Sequence, residues 1–150
     1  MIEKEALSDA MRHGDVLWEE QVQSAFENLC RADRSAIGPQ AQDWGARHKV
    51  FHLSLISACR SPWLIRMHEL LYDQTERYRL ISAVSGRITH APDRNKEDEH
   101  RLLAETIISR KVGPALFLME AHLRKTADRV EAAIAFSAEP PTDVASSAAG

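Results

Sequence analysis

The stretch RHKVFHLSLISACRSPWL, residues 47–64, ends one predicted helix and begins the next. His48, His52 and Leu55 fall on one stripe of the first helix, because residues three or four positions apart share a helix face. Ser61-Pro62 then places a capping residue before proline at the first helical position, which signals a new helix. The stretch therefore predicts two consecutive helices, and the first turns two imidazoles toward an apolar interior.

The same helical periodicity continues on both sides of this stretch. Runs of β-branched residues are absent, and we take glycine and proline to fall between the periodic segments rather than inside them. We therefore predict an all-α antiparallel bundle of about six helices, formed by one domain over residues 1–136. Residues 137–150 lack periodicity and are predicted to be a disordered tail. The six helices are predicted at about Ile2–Arg12, Asp15–Leu29, Pro39–Cys59, Pro62–Val84, Asn95–Ser109 and from Gly113-Pro114 to Phe136, with a polar loop over Ser85–Arg94.

The composition is that of a globular protein with no strongly basic surface. The chain has 150 residues, of which 44% are apolar and 27% charged, and its net charge is −3. This charge argues against a protein that coats nucleic acid. No apolar run is long enough to span a bilayer, and the amino-terminal segment lacks the features of a secretory signal. Two cysteines without a CxxC pair suggest reduced thiols, so we expect a cytoplasmic protein with no membrane partner.

Two further histidines lie on apolar helix faces outside residues 47–64. His100 shares a face with Leu103 and Ile107, and His122 shares one with Met119. One histidine on such a face is usually a hydrogen-bonded core residue, but four in one core are harder to satisfy. A divalent transition metal, zinc or nickel above all, would bind one lone pair from each ring. The predicted metal ligands are His48, His52, His100 and His122.

The fourth predicted helix offers polar groups that could hold a ligand. Arg77 could form two hydrogen bonds to a carboxylate, and Gln74 lies on the same face. A salt bridge between Arg77 and a carboxylate of the bundle remains the alternative. We take both residues as candidate ligand-binding residues on a face expected to point inward, which also carries Trp63, Met67, Leu70 and Ile81.

Four segments together resemble a known family. They are RHKVFHLSLISACRSPWL, LYDQTERYRL, EHRLLAETIISRK and AHLRKTADRV, at residues 47–64, 71–80, 99–111 and 121–130. They are similar to the FadR C-terminal (FCD) effector domain of GntR-type transcription regulators, and most to the subgroup of carbon-starvation and glutarate-responsive repressors. The resemblance implies a helical bundle that binds a metal and a small carboxylate effector and forms a homodimer.

The chain departs from the pattern of that family in two respects. The family's histidine ligands correspond to His52, His100 and His122, but its usual first ligand, an aspartate, is replaced by His48. Four neutral imidazoles would leave a divalent ion at net +2, so we expect stronger attraction of carboxylates. The bundle also begins at about residue 2, without the winged helix-turn-helix of such regulators. We therefore expect no direct DNA binding by this chain.

Three functions are compatible with these patterns. The first is a ligand-sensing and dimerisation domain of a transcription regulator. The second is a small metal-dependent hydrolase, but the HxxxH segment has Lys49 where a zinc protease has its glutamate base. The third is a structural dimerisation bundle without metal. We favour the first interpretation, in which the protein is not an enzyme.

Overall fold

The computed structural model describes residues 2–32, 39–88 and 96–138. These residues form six helices and no strand, as the sequence predicts. The prediction of an all-α bundle of six helices is therefore confirmed for the described part of the chain. The helices are α1 (Ile2–His13), α2 (Val16–Cys30), α3 (Pro39–Ile56), α4 (Pro62–Ile88), α5 (Lys96–Ile108) and α6 (Val112–Ala138).

The turn between α1 and α2 follows from three neighbouring residues. Asp15 caps α2, and its side chain accepts a hydrogen bond from the backbone N–H of Trp18 at 2.9 Å. The Trp18 ring lies so close to Gly14 that a Cβ there would lie 2.1 Å from Cε3 of the ring. Glycine is therefore required at this position by close approach. The indole N–H of Trp18 donates to the carbonyl of Ser54 at 2.9 Å, which joins α2 to α3.

The hydrophobic core draws side chains from α1, α2, α3, α5 and α6. Helix α1 packs against α3, α4 and α6, while α2 packs against α3 and α5. Burial of this apolar surface is the main force that holds such a bundle together. The largest fully buried side chains are Leu7, Val22, Phe51, Leu55, Ile56, Leu103, Ile107 and Met119.

The side chain of Arg110 links the turn between α5 and α6 to the turn between α1 and α2. Its guanidinium donates to the carbonyls of Met11 and Gly14, at 2.9 and 2.7 Å, and to the Glu19 carboxylate at 2.7 Å. The same group lies 5.0 Å from the centre of the Trp18 ring. The backbone of Arg110 has a φ of 55°, a left-handed conformation that residues with a side chain rarely adopt. The several contacts of its side chain compensate for this strain.

Several helix ends differ from those predicted. Helix α3 ends at Ile56, three residues early, because tighter turns follow in which the Cys59 N–H donates to the carbonyl of Ile56 at 2.9 Å. Helix α4 continues to Ile88, through the first part of the loop predicted over residues 85–94. A single glycine within a helix, such as the one at position 86, weakens the helix by only about 1 kcal/mol and need not end it. Residues 89–95 lie outside the described part of the chain.

Helix α6 ends at Ala138, two residues beyond the predicted boundary at 136. The rest of the predicted tail, residues 139–150, lies outside the described residues.

The prediction that the face of α4 with Trp63, Met67 and Leu70 points inward is wrong, while Ile81 of the same face lies outside the described side chains. Trp63 is 75% exposed, and Met67 and Leu70 are also exposed. Among the α4 side chains that the structure describes, the buried ones are His68 and Tyr72, which lie on a different stripe of the helix. None of the described helices combines the length and the apolar character that a membrane span requires.

Candidate metal centre

Helices α3, α5 and α6 bring four histidines together in the interior. His48 and His52 come from α3, His100 from α5 and His122 from α6, and all four are buried. One ring nitrogen of each lies within 4.8 Å of the corresponding nitrogen of every other member. We call this group the histidine cluster. The structure thus brings together the four side chains that the sequence proposes as metal ligands.

One pair of nitrogens in the histidine cluster has the separation expected of two ligands of one ion. Nε2 of His48 lies 3.2 Å from Nε2 of His100. Two nitrogens bound to one zinc ion at 2.0–2.1 Å in tetrahedral geometry are separated by about 3.3 Å. Two imidazole nitrogens at such a distance can share a single proton, or can both direct lone pairs at a cation.

Two rings of the histidine cluster have a partner at Nδ1. Nδ1 of His48 lies 2.6 Å from the hydroxyl of Tyr72 on α4, and Nδ1 of His122 lies 3.2 Å from a carboxylate oxygen of Glu99 on α5. A proton held on Nδ1 by such a partner leaves the lone pair on Nε2, where a metal would bind. The Glu99 carboxylate can only accept, so it favours this tautomer at His122, whereas the Tyr72 hydroxyl can donate or accept and is compatible with it at His48.

His52 is the member whose environment most clearly lacks a partner. Its side chain is only 4% exposed, and Nε2 has no hydrogen-bond partner among the described residues. Burial, followed by the proximity of the other three members of the cluster, holds the pKa of His52 well below its usual value of 6.5. The ring is therefore neutral and offers a buried lone pair, which is the form that binds a metal. A cation bound there would satisfy the unpartnered nitrogen.

Aromatic and charged side chains surround the histidine cluster. The ring of Trp44 stacks on His48 at a centroid distance of 4.7 Å, and Phe51 packs edge-on against His52 and His100. Lys125 donates to Glu99 at 3.0 Å, so the carboxylate that contacts His122 is also paired with a cation. The apolar walls lower the local dielectric, which strengthens electrostatic interactions at the site.

The structure does not test the two predicted ligand-binding residues of α4 in the way it tests the four histidines. Gln74 is exposed, and no described contact joins it to the histidine cluster. Arg77 lies within α4, but its side chain falls outside the part of the chain that the structure describes. The roles of Gln74 and Arg77 in binding an effector therefore stay predictions.

The sequence reasoning missed three residues that adjoin the site. These are Tyr72, Glu99 and His68. Tyr72 and His68 are four residues apart, so an alternative stripe on α4 was the one signal in the sequence. Glu99 and His122 lie on different helices, so no local pattern in the sequence indicates their contact.

The fold and the site together define the class of this protein, which is an all-α domain with four buried imidazoles in its interior. The profile of the FCD domain matches residues 1–125, and the chain therefore belongs to the FCD domain family. This finding confirms the family indicated by the sequence segments.

Two curated relatives are bacterial regulators. The chain is 32% identical over 128 residues to the uncharacterized HTH-type transcriptional regulator BphR of Paraburkholderia xenovorans LB400, covering 83% of this chain and 51% of BphR. It is 29% identical over 118 residues to the HTH-type transcriptional repressor GlaR of Escherichia coli K12, covering 78% of this chain and 54% of GlaR. The chain thus spans about half the length of the curated relatives it matches.

A solved structure shares the fold. The crystal structure of a GntR family transcriptional regulator from Pseudomonas syringae pv. tomato DC3000 superposes with a TM-score of 0.73, covering 91% of this chain and 53% of that one. Sequence identity is 20%, so this likeness supports the fold alone.

Proposed function

We propose that this chain is the ligand-sensing domain of a transcription regulator, in which the histidine cluster holds a divalent metal and the metal binds a small carboxylate. The observation that carries the proposal is the convergence of four buried imidazole nitrogens within 4.8 Å. Membership of the FCD domain family and the two regulator relatives support a sensing role rather than an enzymatic one.

Zinc and nickel are the metals that the ligand set favours. Imidazole is a borderline ligand that suits zinc, nickel, copper and iron, while magnesium and calcium prefer oxygen. Nε2 of His52 supports a ligand role because nothing else in the described structure satisfies it. The metal would supply a cationic anchor for an anion. The chain's own residues would position that anion and shield it from water.

A carboxylate is the ligand class that the charges favour. The four imidazoles are neutral when they bind, so they cancel none of the ion's +2 charge. Glu99 could reduce this charge, but it is itself paired with Lys125. Direct binding of a carboxylate requires at least a fifth coordination position, which zinc reaches by expanding its geometry. A small carboxylate is therefore the proposed effector.

The proposal extends to the partners and location of the protein. By its family, the domain would form a homodimer and act in the cytoplasm. DNA binding would require a helix-turn-helix module that the described helices do not include. A conformational change on effector binding would then reach DNA only through that module.

Metal titration tests the first half of this proposal. Purified protein stripped with a chelator should bind one zinc or nickel ion per chain in calorimetry, and elemental analysis should find the metal in protein that was not stripped. His122→Ala should reduce the affinity at least tenfold, because it removes one ligand. His13→Ala is the matched control, since His13 lies at the end of α1 and hydrogen-bonds Asp9. Equal affinity in both variants would overturn the metal site.

A thermal-shift screen tests the second half. Small mono- and dicarboxylates should raise the melting temperature of the metal-loaded protein and leave the stripped protein unchanged. Stabilisation of both forms alike would show that acids bind away from the metal. Turnover of ester or amide substrates by the metal-loaded protein would favour the hydrolase alternative.

A further inference from the structure

His68 is a buried polar residue that the proposed metal site does not use. It lies on α4 and is 3% exposed, and neither ring nitrogen has a hydrogen-bond partner among the described residues. Its Nδ1 lies 3.6 Å from a carboxylate oxygen of Glu3 on α1, which is just beyond hydrogen-bond distance. A buried imidazole without hydrogen-bond partners destabilises a fold. Its presence therefore suggests that a group from outside the chain forms a hydrogen bond with it.

His68 lies beside the histidine cluster. Its ring packs against that of Tyr72 at a centroid distance of 5.9 Å, and the Tyr72 hydroxyl contacts His48. Tyr72 thus contacts both His68 and a member of the histidine cluster, so a ligand that extended from the cluster past Tyr72 toward α1 would meet His68.

The carboxylate of Glu3 determines which nitrogen of His68 carries the proton. The contact with His68 lowers the pKa of Glu3 from its usual value of 4.5, so this carboxylate is ionised and can only accept a hydrogen bond. In a neutral imidazole, the proton is then favoured on Nδ1, which faces Glu3. Nε2 is left as a buried acceptor that needs a donor.

We propose that Nε2 of His68 accepts a hydrogen bond from a hydroxyl group at the end of the effector remote from the metal. The effector would then be a hydroxycarboxylate, with its carboxylate on the metal and its hydroxyl at His68. This inference rests on the proposed function, because it takes the metal as the anchor for the carboxylate. An ammonium group could also donate, but the divalent ion would repel it.

The test compares matched acids on the zinc-loaded full chain by calorimetry. The acids are butyrate, γ-hydroxybutyrate and succinate, followed by valerate, δ-hydroxyvalerate and glutarate. In one of the two series, the hydroxy acid should bind about tenfold more tightly than its unsubstituted and dicarboxylate counterparts, since one buried hydrogen bond contributes on this scale. His68→Leu should abolish this preference while zinc affinity stays within about twofold.

A second variant keeps the inference testable if His68→Leu folds poorly. His68→Gln retains an acceptor oxygen and should keep part of the preference for the hydroxy acid. A preference that survives in His68→Leu, or a wild-type preference for the dicarboxylate, would overturn the role assigned to His68. Failure of zinc or butyrate to bind at all would instead overturn the proposed function, so the two failures are distinguishable.

Discussion

The hydroxyl oxygen of Tyr72 lies 2.6 Å from Nδ1 of His48, across 24 residues of sequence and the interface between α3 and α4. The two side chains are buried, so the contact is shielded from water. The contact links the helix that supplies two members of the histidine cluster to a helix that supplies none. A shift of α4 would therefore alter the orientation of His48.

The first prediction concerns this contact. Tyr72→Phe removes only the hydroxyl and should lower zinc affinity about tenfold, because partners of ligating histidines orient the ring and raise its basicity. The stability of the metal-free protein should fall by only about 1 kcal/mol. Calorimetry with zinc and urea unfolding of the stripped protein measure the two effects. Tyr78→Phe removes the same atom from an exposed tyrosine and serves as the control.

A second prediction separates function from stability at His52. His52→Leu replaces a buried ring bearing an unpartnered nitrogen with an apolar side chain, so the metal-free protein should gain about 1 kcal/mol in free energy of unfolding. The same variant should lose most of the stabilisation that zinc gives the wild type, because one ligand is absent. Unfolding of both proteins with and without zinc measures this. A metal-free variant several kcal/mol less stable than wild type would show that His52 is a packing residue.

A third prediction concerns pH. The folded pKa of His52 is depressed below 6.5, so the unfolded chain takes up a proton at a higher pH than the folded chain. The free energy of unfolding of the metal-free protein should therefore fall as the pH drops below about 6.5, by up to about 1.4 kcal/mol per pH unit for this one group. Urea unfolding between pH 7.5 and pH 5.5 measures the slope, a range kept above the titration of the carboxyl groups.

Zinc affinity should fall over the same acidic range, because protons compete for the ligand nitrogens. His52→Leu should reduce the pH slope of the metal-free protein. A zinc affinity unchanged between pH 7.5 and pH 5.5 would argue against ligation by histidine.

A fourth prediction tests the turn between α1 and α2. Gly14→Ala places a Cβ 2.1 Å from the Trp18 ring, so either the indole or the backbone must move. Overpacking of this kind destabilises a protein by about 1–3 kcal/mol. Gly113→Ala is the matched control, because a Cβ there has no neighbour within 4 Å and the change should be neutral or slightly stabilising. Equal thermal unfolding temperatures for the two variants would show that the ring moves aside freely.

The helices could be predicted from sequence because their signals are local. Asp15 as a cap and Ser61-Pro62 as a helix start each act within one turn of the residues they influence. The inward faces of α3, α5 and α6 were readable because their apolar residues recur at a single helical phase. The family could be identified because the pairs Phe51-His52 and Glu99-His100 and the later His122 lie on these same three helices.

Helix α4 shows where such reasoning fails. It carries apolar residues on more than one stripe, so periodicity alone did not reveal that His68 and Tyr72 face inward while Trp63 and Met67 are exposed. Contacts with α1 and α6 decide which stripe is buried. The placement of Gln74 on an exposed part of α4 follows from the same packing.

The sequence by itself determined the six helices and the four imidazoles on inward faces, because cap residues and apolar spacing act through the backbone of one helix at a time. Only the tertiary structure decided that these imidazoles meet within 4.8 Å, that Tyr72 and Glu99 contact two of them, and that His68 is buried beside Glu3. These contacts join residues on different helices. Their distances depend on how whole helices pack, which no local spacing encodes.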